Sequence, residues 1–149
     1  ILEFGRFAEQ DRKRRGEGKP ETFDFLGFTF YCSTDAKKRF FRCKVKTSRK
    51  KLRSKTKALK EWIKNHRDMP LEWIFKMINA KLRGHYQYYG VTDNMEEMCL
   101  YLHNTKRLLF KWLNRRSQRR SYTWEAFTKG LLRTFPLIQP QIRVSLLGR

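Results

Sequence analysis

A run of cations without a single carboxylate, at residues 36–60, constrains this chain more than any other feature of its sequence. Thirteen residues of the run are Lys or Arg, and none is Asp or Glu. Ordinary protein surfaces mix both signs of charge, so we interpret the run as a binding face and not as a merely solvated one. Cations spaced along a strand and then along a helix can follow a sugar-phosphate backbone.

The run divides into a strand and the first part of a helix. Residues 39–46 alternate between apolar and basic side chains, which predicts a strand with one apolar and one cationic face. The cationic face consists of Arg42, Lys44 and Lys46. Thr47 or Ser48 can cap the helix that follows. The apolar stripe of this helix is Leu52, Thr56, Leu59 and Ile63. Its polar side carries Arg49, Lys50, Arg53 and Lys57.

An aromatic and β-branched segment, residues 22–32, precedes the cationic strand and is predicted to be its partner strand. Gly27 lies inside this segment, which indicates a bulge or the close approach of another backbone. Further upstream, residues 1–10 fit a short strand or the end of an element. Residues 11–20 are charged and contain Gly and Pro, which favours a surface loop.

A second helix is predicted from Leu71, directly after Pro70, to Tyr89. Its apolar stripe is Leu71, Ile74, Ile78, Leu82, Tyr86 and Tyr89. Gly84 opposes the helical preference by about 1 kcal/mol relative to Ala. We therefore expect another helix or a nucleic-acid backbone to come close at Gly84, and we expect Gly90 to end the helix.

A third helix is predicted after a cap at Asp93 or Asn94, and a shorter fourth helix after a cap at Thr123. The buried stripe of the third helix is Met98, Leu102, Thr105, Leu109 and Trp112. Its C-terminal half carries Lys106, Arg107, Lys111, Arg115, Arg116, Arg119 and Arg120. The apolar residues of the fourth helix are Phe127, Leu131, Leu132 and Phe135. We expect residues 136–149 to pack as a short extended tail.

The charge balance selects the class of partner. Lys plus Arg number 35 against 14 Asp plus Glu, and the net charge of +21 calls for a polyanion. An aromatic content of 15% argues against a disordered basic tail. No apolar run approaches the roughly 18 residues that span a bilayer, and no signal-peptide pattern occurs. The three cysteines show no metal-ligand spacing and fit a reducing cytosol.

No catalytic constellation is evident in the sequence. His66, His85 and His103 have no Cys or carboxylate at metal-ligand spacing. No glycine-rich phosphate loop occurs, and no pair of acidic residues suggests a two-metal site. We therefore expect a binding module without a catalytic residue, a metal site or a cofactor of its own.

Four segments, taken in order, resemble the C-terminal part of bacterial group II intron reverse transcriptase/maturases. They are residues 22–28 (TFDFLGF), the basic return strand, residues 81–90 (KLRGHYQYYG) and residues 109–116 (LFKWLNRR). Each motif is weak alone, but the set is specific and covers nearly the whole chain.

The resemblance implies an α+β, mostly helical chain, in which an N-terminal β-hairpin precedes a bundle of three to four helices. Residues 1–46 would be the end of the reverse transcriptase palm. Residues 47–135 would be the thumb or maturase-specific (X) domain, and residues 136–149 a C-terminal tail. The primer grip would consist of Phe25, Leu26, Gly27 and Phe28.

The resemblance also implies a function. The chain would bind group II intron RNA to assist splicing, and would hold an RNA/DNA template–primer duplex during reverse transcription. It would act in an intron ribonucleoprotein in the bacterial cytoplasm, without a membrane. The candidate RNA-binding residues are Arg42, Lys44, Lys46, Arg49, Lys50, Arg53, Lys57, Arg83, His85, Tyr88, Lys111, Arg115, Arg116, Arg119 and Arg120.

One departure from the family concerns the chemistry. The family's catalytic Tyr-Ala-Asp-Asp motif is missing here, so Mg²⁺ and polymerase activity would belong to a parent RNA-directed DNA polymerase. The chain starts at Ile1 and not at Met. We therefore expect a piece of such a protein, with the rest of the palm and the fingers as partners.

Two other classes of function remain open. A free-standing basic RNA-binding module without polymerase ancestry would show the same charge pattern, and an upstream Tyr-x-Asp-Asp reading frame would separate the two. A membrane-surface protein with basic amphipathic helices is the third class. It fits less well because the Trp, Leu and Ile residues of the helices can form a mutual core. Liposome binding compared with RNA binding would decide.

Overall fold

The computed structural model describes residues 2–117 and 121–146. A short helix and a three-stranded antiparallel sheet precede the long helices, which confirms the α+β class expected from the sequence. The elements, in chain order, are α1 (Ala8–Arg14), β1 (Phe23–Phe25), β2 (Phe28–Thr34), β3 (Phe41–Thr47), α2 (Arg49–His66), α3 (Leu71–Tyr89), α4 (Met95–Leu113), α5 (Trp124–Ala126), a π-helical turn (Phe127–Leu131) and α6 (Leu132–Thr134).

The chain divides into two compact units, Ile1–Lys51 and Leu52–Arg149. The first unit contains α1 and the sheet, and the second contains the long helices and the tail. Among the described helices, none combines the length and the apolar character that crossing a bilayer requires.

The first unit begins with a helix where the sequence suggested a strand and a loop. Residues 8–14 contain neither Gly nor Pro and are rich in good helix formers, so α1 forms across both segments. Arginines of α1 and of the residue directly after it form ion pairs with nearby carboxylates. Arg12 Nη1 lies 3.4 Å from the Glu3 carboxylate, and Arg15 Nε lies 3.0 Å from that of Glu17.

The segment 22–32 forms two strands and not one. β1 ends at Phe25, β2 begins at Phe28, and Leu26 and Gly27 form the turn between them, with φ of 51° and 83°. Positive φ at both central residues is typical of a type I′ turn, whose twist matches that of a hairpin. Gly27 is therefore a left-handed turn residue and not a bulge. Phe25 lies opposite Phe28 in the antiparallel pair.

Aromatic rings pack along the face of the sheet opposite the cations. Phe23 stacks on Phe30 with 5.0 Å between ring centroids, and Phe4 meets Phe23 edge-on at 5.0 Å. At the other end of the same face, Val45 is buried. Of the apolar face predicted for β3, Val45 is therefore buried, whereas Phe41 is half-buried and Cys43 is exposed.

The helical stripes predicted from the sequence form the core of the second unit. Every residue of the stripe predicted for α4 is buried, and so are Leu52, Leu59 and Ile63 of α2. In α3 the buried stripe residues are Ile74, Ile78, Leu82, Tyr86 and Tyr89, whereas Leu71 is half-buried. The core also contains Phe75, His85 and Tyr101, which the sequence pattern had left out.

Two of the three predicted helix caps are present, and the side chain of Asn94 has a different role. Ser48 Oγ accepts the Lys51 N–H at 3.3 Å, and Thr123 Oγ1 accepts the Ala126 N–H at 3.1 Å. Asn94 precedes α4 but does not cap it with its side chain. Its Nδ2 donates to the Tyr89 carbonyl at 2.9 Å, so it connects the end of α3 with the start of α4.

The tail packs as an extended segment along α3, which confirms the expectation as far as residue 146. The Asn79 side chain binds its first part, because Nδ2 donates to Pro136 O and Oδ1 accepts the Ile138 N–H, both at 3.0 Å. The Tyr86 hydroxyl donates to Ile138 O at 3.1 Å.

Gly90, and not Gly84, is the glycine that permits a close approach. Its carbonyl accepts the N–H groups of Arg143 and Val144, at 2.6 and 3.0 Å. A Cβ at Gly90 would lie 2.7 Å from the Gln141 carbonyl oxygen, whereas a Cβ at Gly84 would meet no described atom within 4 Å. The expectation of a neighbouring helix at Gly84 is therefore wrong for the described part of the chain.

Candidate nucleic-acid interface

The turn of the first hairpin presents apolar side chains to solvent. Phe25 is 60% exposed and Leu26 is 67% exposed. Leu26 also has a left-handed backbone, which costs a non-glycine residue about 1–2 kcal/mol. Both apolar side chains of the tip remain largely exposed, and strained backbone conformations concentrate at functional sites.

The cationic face predicted for β3 is present. Arg42, Lys44 and Lys46 lie opposite Ser33, Tyr31 and Thr29 of β2. All three cations are half-buried, and Lys46 Nζ lies 5.2 Å from the centre of the Tyr31 ring. This face combines positive charge with an aromatic ring and the Ser33 hydroxyl, groups that can contact a phosphate backbone. It also carries the Asp24 carboxylate, which accepts a hydrogen bond from the Thr29 hydroxyl.

The cations predicted for the polar side of α2 are solvent-exposed. Arg49 and Lys50 belong to the first unit, and Arg53 and Lys57 belong to the second. Each side chain can reach a phosphate without disturbing the buried stripe.

On α3, the candidate residues separate into two groups. Arg83 and Tyr88 are exposed, and the open position at Gly84 lies beside Arg83. His85 is 2% exposed, so the expected contact of its ring with RNA is wrong for this structure. The helical period explains the difference, because His85 falls three residues after Leu82 and four before Tyr89 and shares their face.

The His85 ring lies in an aromatic layer. Its centroid is 4.0 Å from that of Tyr101 and 4.7 Å from that of Tyr89. Neither ring nitrogen has a hydrogen-bond partner among the described residues. Burial, assisted by the positive charge of Lys55, lowers the pKa of His85 to about 4. The ring is therefore a neutral core residue at physiological pH.

Four cations surround a single indole ring at the C-terminal end of α4. The distances to the centre of the Trp112 ring are 4.9 Å for Arg115, 5.6 Å for Lys111, 5.7 Å for Arg67 and 5.9 Å for Lys64. Trp112 itself is 6% exposed. We call this group of five residues the Trp112 cluster.

The Trp112 cluster is a site of concentrated positive charge. Within the described ranges, Arg67 is the member that has a carboxylate within 4.0 Å, at 3.8 Å from Asp68. The electron-rich face of an indole attracts cations, but like charges gathered around one ring also repel each other. A polyanion bound over the cluster would relieve that repulsion, so the geometry favours a phosphate ligand.

Part of the cluster was predictable and part was not. Lys111 and Arg115 were expected from the charge pattern of α4, and Arg116, half-buried, lies in the turn that follows α4. Arg119 and Arg120 lie outside the described residues. Lys64 and Arg67 were missed, because they come from the end of α2 and meet Trp112 only through tertiary packing.

Sequence reasoning also missed a second aromatic group. Trp62 stacks on His66 at 4.5 Å and on Trp73 at 5.8 Å between ring centroids. Lys81 Nζ lies 5.0 Å from the centre of the Trp62 ring. These rings are half-buried, so the side of α2 that faces α3 interleaves aromatic and basic side chains.

Comparison of the sequence with known families identifies one that matches. Residues 51–130, more than half of the chain, match the family described as "Group II intron, maturase-specific domain". The match includes α3, α4 and all residues of the Trp112 cluster. No curated protein and no solved structure gives a significant match.

Proposed function

Because the chain belongs to the group II intron maturase-specific domain family, we propose that it binds group II intron RNA through its cationic faces and so assists splicing. The observation that carries this proposal is the Trp112 cluster, where four cations around one ring lie inside the matched residues. Folded RNA concentrates phosphates, and cation–phosphate contacts supply most of the sequence-independent affinity of such complexes.

The mode of contact follows from the chemistry of these faces. Lys and Arg side chains contact phosphates and carry no base preference of their own. An A-form RNA helix is recognised by its shape and its backbone, because its deep major groove does not admit side chains. Contacts of this kind would stabilise a folded intron without requiring one particular sequence.

A second part of the proposal concerns the first unit. The exposed hairpin tip at Phe25 and Leu26 supports a role as the primer grip, which would hold the template–primer duplex in a longer reverse transcriptase. Gly27 provides the left-handed turn that brings the tip backbone to the surface. The polymerase chemistry would need Mg²⁺ and the Asp residues of the rest of the palm. The whole assembly would work as an intron ribonucleoprotein in the bacterial cytoplasm.

The proposal predicts how RNA binding depends on salt. Each phosphate contact contributes about 0.9 to the slope of log K against log salt on a duplex and about 0.7 on a single strand. Changing Lys64, Lys111 and Arg115 together to Gln is expected to lower this slope by roughly two units on a structured group II intron RNA. Changing Arg42, Lys44 and Lys46 to Gln tests the β3 face in the same way.

A matched control removes three exposed cations of the second unit outside the Trp112 cluster, namely Lys76, Arg133 and Arg143. It lowers the net charge equally and is expected to leave the slope nearly unchanged. Binding is measured across a salt series, and circular dichroism verifies folding. Equal effects of the cluster variant and the control would show that total charge, and not the cluster, determines binding. A wild-type chain that does not bind the RNA would overturn the proposal.

A further inference from the structure

An open pocket lies on the outer side of α4, beside α5. Its volume is about 590 Å³, within the range of roughly 300–1,000 Å³ that is typical of small-ligand sites. The lining residues are His103, Arg107, Leu108, Phe110, Lys111 and Trp124. None of them is acidic, and two carry permanent positive charge. Apart from Lys111, none of these residues has a role in the proposed phosphate contacts of the Trp112 cluster.

Trp124 forms an aromatic wall of the pocket and is fixed in place. Its ring meets Phe110 edge-on at 5.2 Å and lies 5.6 Å from the buried ring of Phe127. Trp124 is nevertheless 42% exposed, so part of its ring remains open to solvent. A rigid, partly exposed indole can receive a flat ligand at a low cost in conformational entropy.

The backbone next to Trp124 is also held. Asn114, just after α4, binds both sides of the Tyr122 backbone, because Nδ2 donates to the carbonyl at 3.0 Å and Oδ1 accepts the N–H at 2.6 Å. Thr123 caps the helical segment that begins at Trp124. These hydrogen bonds therefore hold the segment that carries Trp124 against the end of α4. The other lining residues lie on α4 itself.

We propose that this pocket captures one unpaired RNA base, stacked on Trp124, while Arg107 and Lys111 hold the adjacent phosphates. The inference rests on the proposed function, in that the chain must bind RNA at all. An unstacked base offers a flat aromatic face with polar edges, and its two neighbouring phosphates are the nearest anions. The aromatic wall, the cationic rim and the absence of acids among the lining residues match these three properties together.

The position of Lys111 strengthens this choice of ligand. Its Nζ lies 5.6 Å from the Trp112 ring, so the same residue belongs to the pocket and to the Trp112 cluster. A strand whose base enters the pocket would continue directly onto the cluster with its phosphates. A peptide with apolar side chains would instead bring its uncharged backbone against these cations.

The test compares two RNA hairpins that differ by a single bulged 2-aminopurine nucleotide. Wild-type chain is expected to bind the bulged hairpin more tightly than the fully paired one. Stacking on an aromatic side chain is worth enough for Trp124→Leu to weaken bulged-hairpin binding about 5- to 150-fold. The paired hairpin is expected to keep its affinity, and Trp124→Phe to retain most of the preference. Tyr122→Leu removes a neighbouring exposed aromatic outside the pocket and is the matched control.

The outcomes separate the pocket from the general proposal. A wild-type chain that binds neither hairpin contradicts the proposed RNA binding itself. Equal affinities of wild type and Trp124→Leu for the bulged hairpin overturn only the base pocket, as does an equal loss for both hairpins. If Trp124→Leu does not fold, the wild-type complex decides. Stacking quenches 2-aminopurine, so unchanged fluorescence in the bound bulged hairpin also overturns the pocket.

Discussion

His85 shows how a single residue can make this domain sensitive to pH. The ring is enclosed by Tyr86, Tyr89 and Tyr101 and feels the charge of Lys55. Its pKa lies near 4 in the folded chain, against 6.5 in an unfolded one. Below pH 6.5 the unfolded chain therefore binds a proton that the folded chain does not bind until the pH approaches 4. Stability from this group is present above pH 6.5 and is lost as the pH falls towards 4.

We expect the free energy of unfolding to fall by about 2 kcal/mol between pH 7 and pH 5 through this group alone. The variant His85→Phe keeps a ring against Tyr101 but cannot titrate, so this part of the loss should disappear. His103→Gln, at an exposed histidine of α4, is the control and should keep it. Urea denaturation at both pH values measures the effect. If the free energy of unfolding of His85→Phe fell by as much as that of the wild type, the pH dependence would come from other groups.

At the scale of elements, Gly84 inside α3 and Gly90 directly after it have opposite surroundings. Gly84 lies in open space on the exposed side, so it costs the helix stability without relieving a clash. Gly90 is pressed against the tail, and its φ of −73° is one that any residue adopts. A substitution at Gly90 is therefore resisted by backbone contact and not by backbone conformation.

The two glycines give a matched pair of substitutions. Gly84→Ala is expected to raise the free energy of unfolding by up to about 1 kcal/mol. Gly90→Ala is expected to lower it by about 1–3 kcal/mol, because its Cβ would overlap the carbonyl oxygens of Tyr86 and Gln141. Urea denaturation of both variants measures the difference. Similar effects of the two substitutions would mean that the tail does not pack on Gly90.

The elements also show what sequence can and cannot predict here. The 3.6-residue period predicted the buried stripes of α3 and α4, because burial of an apolar face is a local pattern. The hairpin turn at Leu26 was hidden, because leucine rarely adopts positive φ and only the Gly after it marks a turn. In the candidate site, Lys111 and Arg115 were predictable from the charge pattern of α4 and the turn after it. Lys64, Arg67 and the convergence of all four cations on Trp112 were not, because they depend on how two segments distant in sequence pack together.

For the whole molecule, the net charge of +21 opposes folding and favours binding. Cations that repel each other raise the free energy of any compact state. Salt screens that repulsion, and the Debye length falls from about 30 Å at 0.01 M to about 8 Å at 0.15 M ionic strength. The same screening weakens contacts with a polyanion. Stability and RNA affinity should therefore respond to salt in opposite directions.

The melting temperature of the free chain is thus expected to rise between about 0.01 and 0.15 M NaCl while its affinity for RNA falls. Thermal melts by circular dichroism and binding titrations in the same buffers measure both. The variant that replaces Lys76, Arg133 and Arg143 by Gln carries three fewer positive charges, so its melting temperature should rise less with salt. A melting temperature that falls with salt would show that attractive ion pairs, such as those of Arg12, outweigh the repulsion.

The packing of the tail on α3 sets the order in which the domain can be completed during synthesis. Tyr86 leaves the ribosome 52 residues before its partner Ile138. The separation in sequence between Gly90 and its partner Val144 is slightly larger. At about 5–20 residues per second this interval lasts roughly 3–10 s, whereas a helix forms in about a microsecond. The helices of the second unit therefore have time to form and pack against each other on the nascent chain before the tail reaches α3. Until residue 144 has emerged, the Gly90 carbonyl and the Tyr86 hydroxyl lack their tail partners and remain accessible to other molecules.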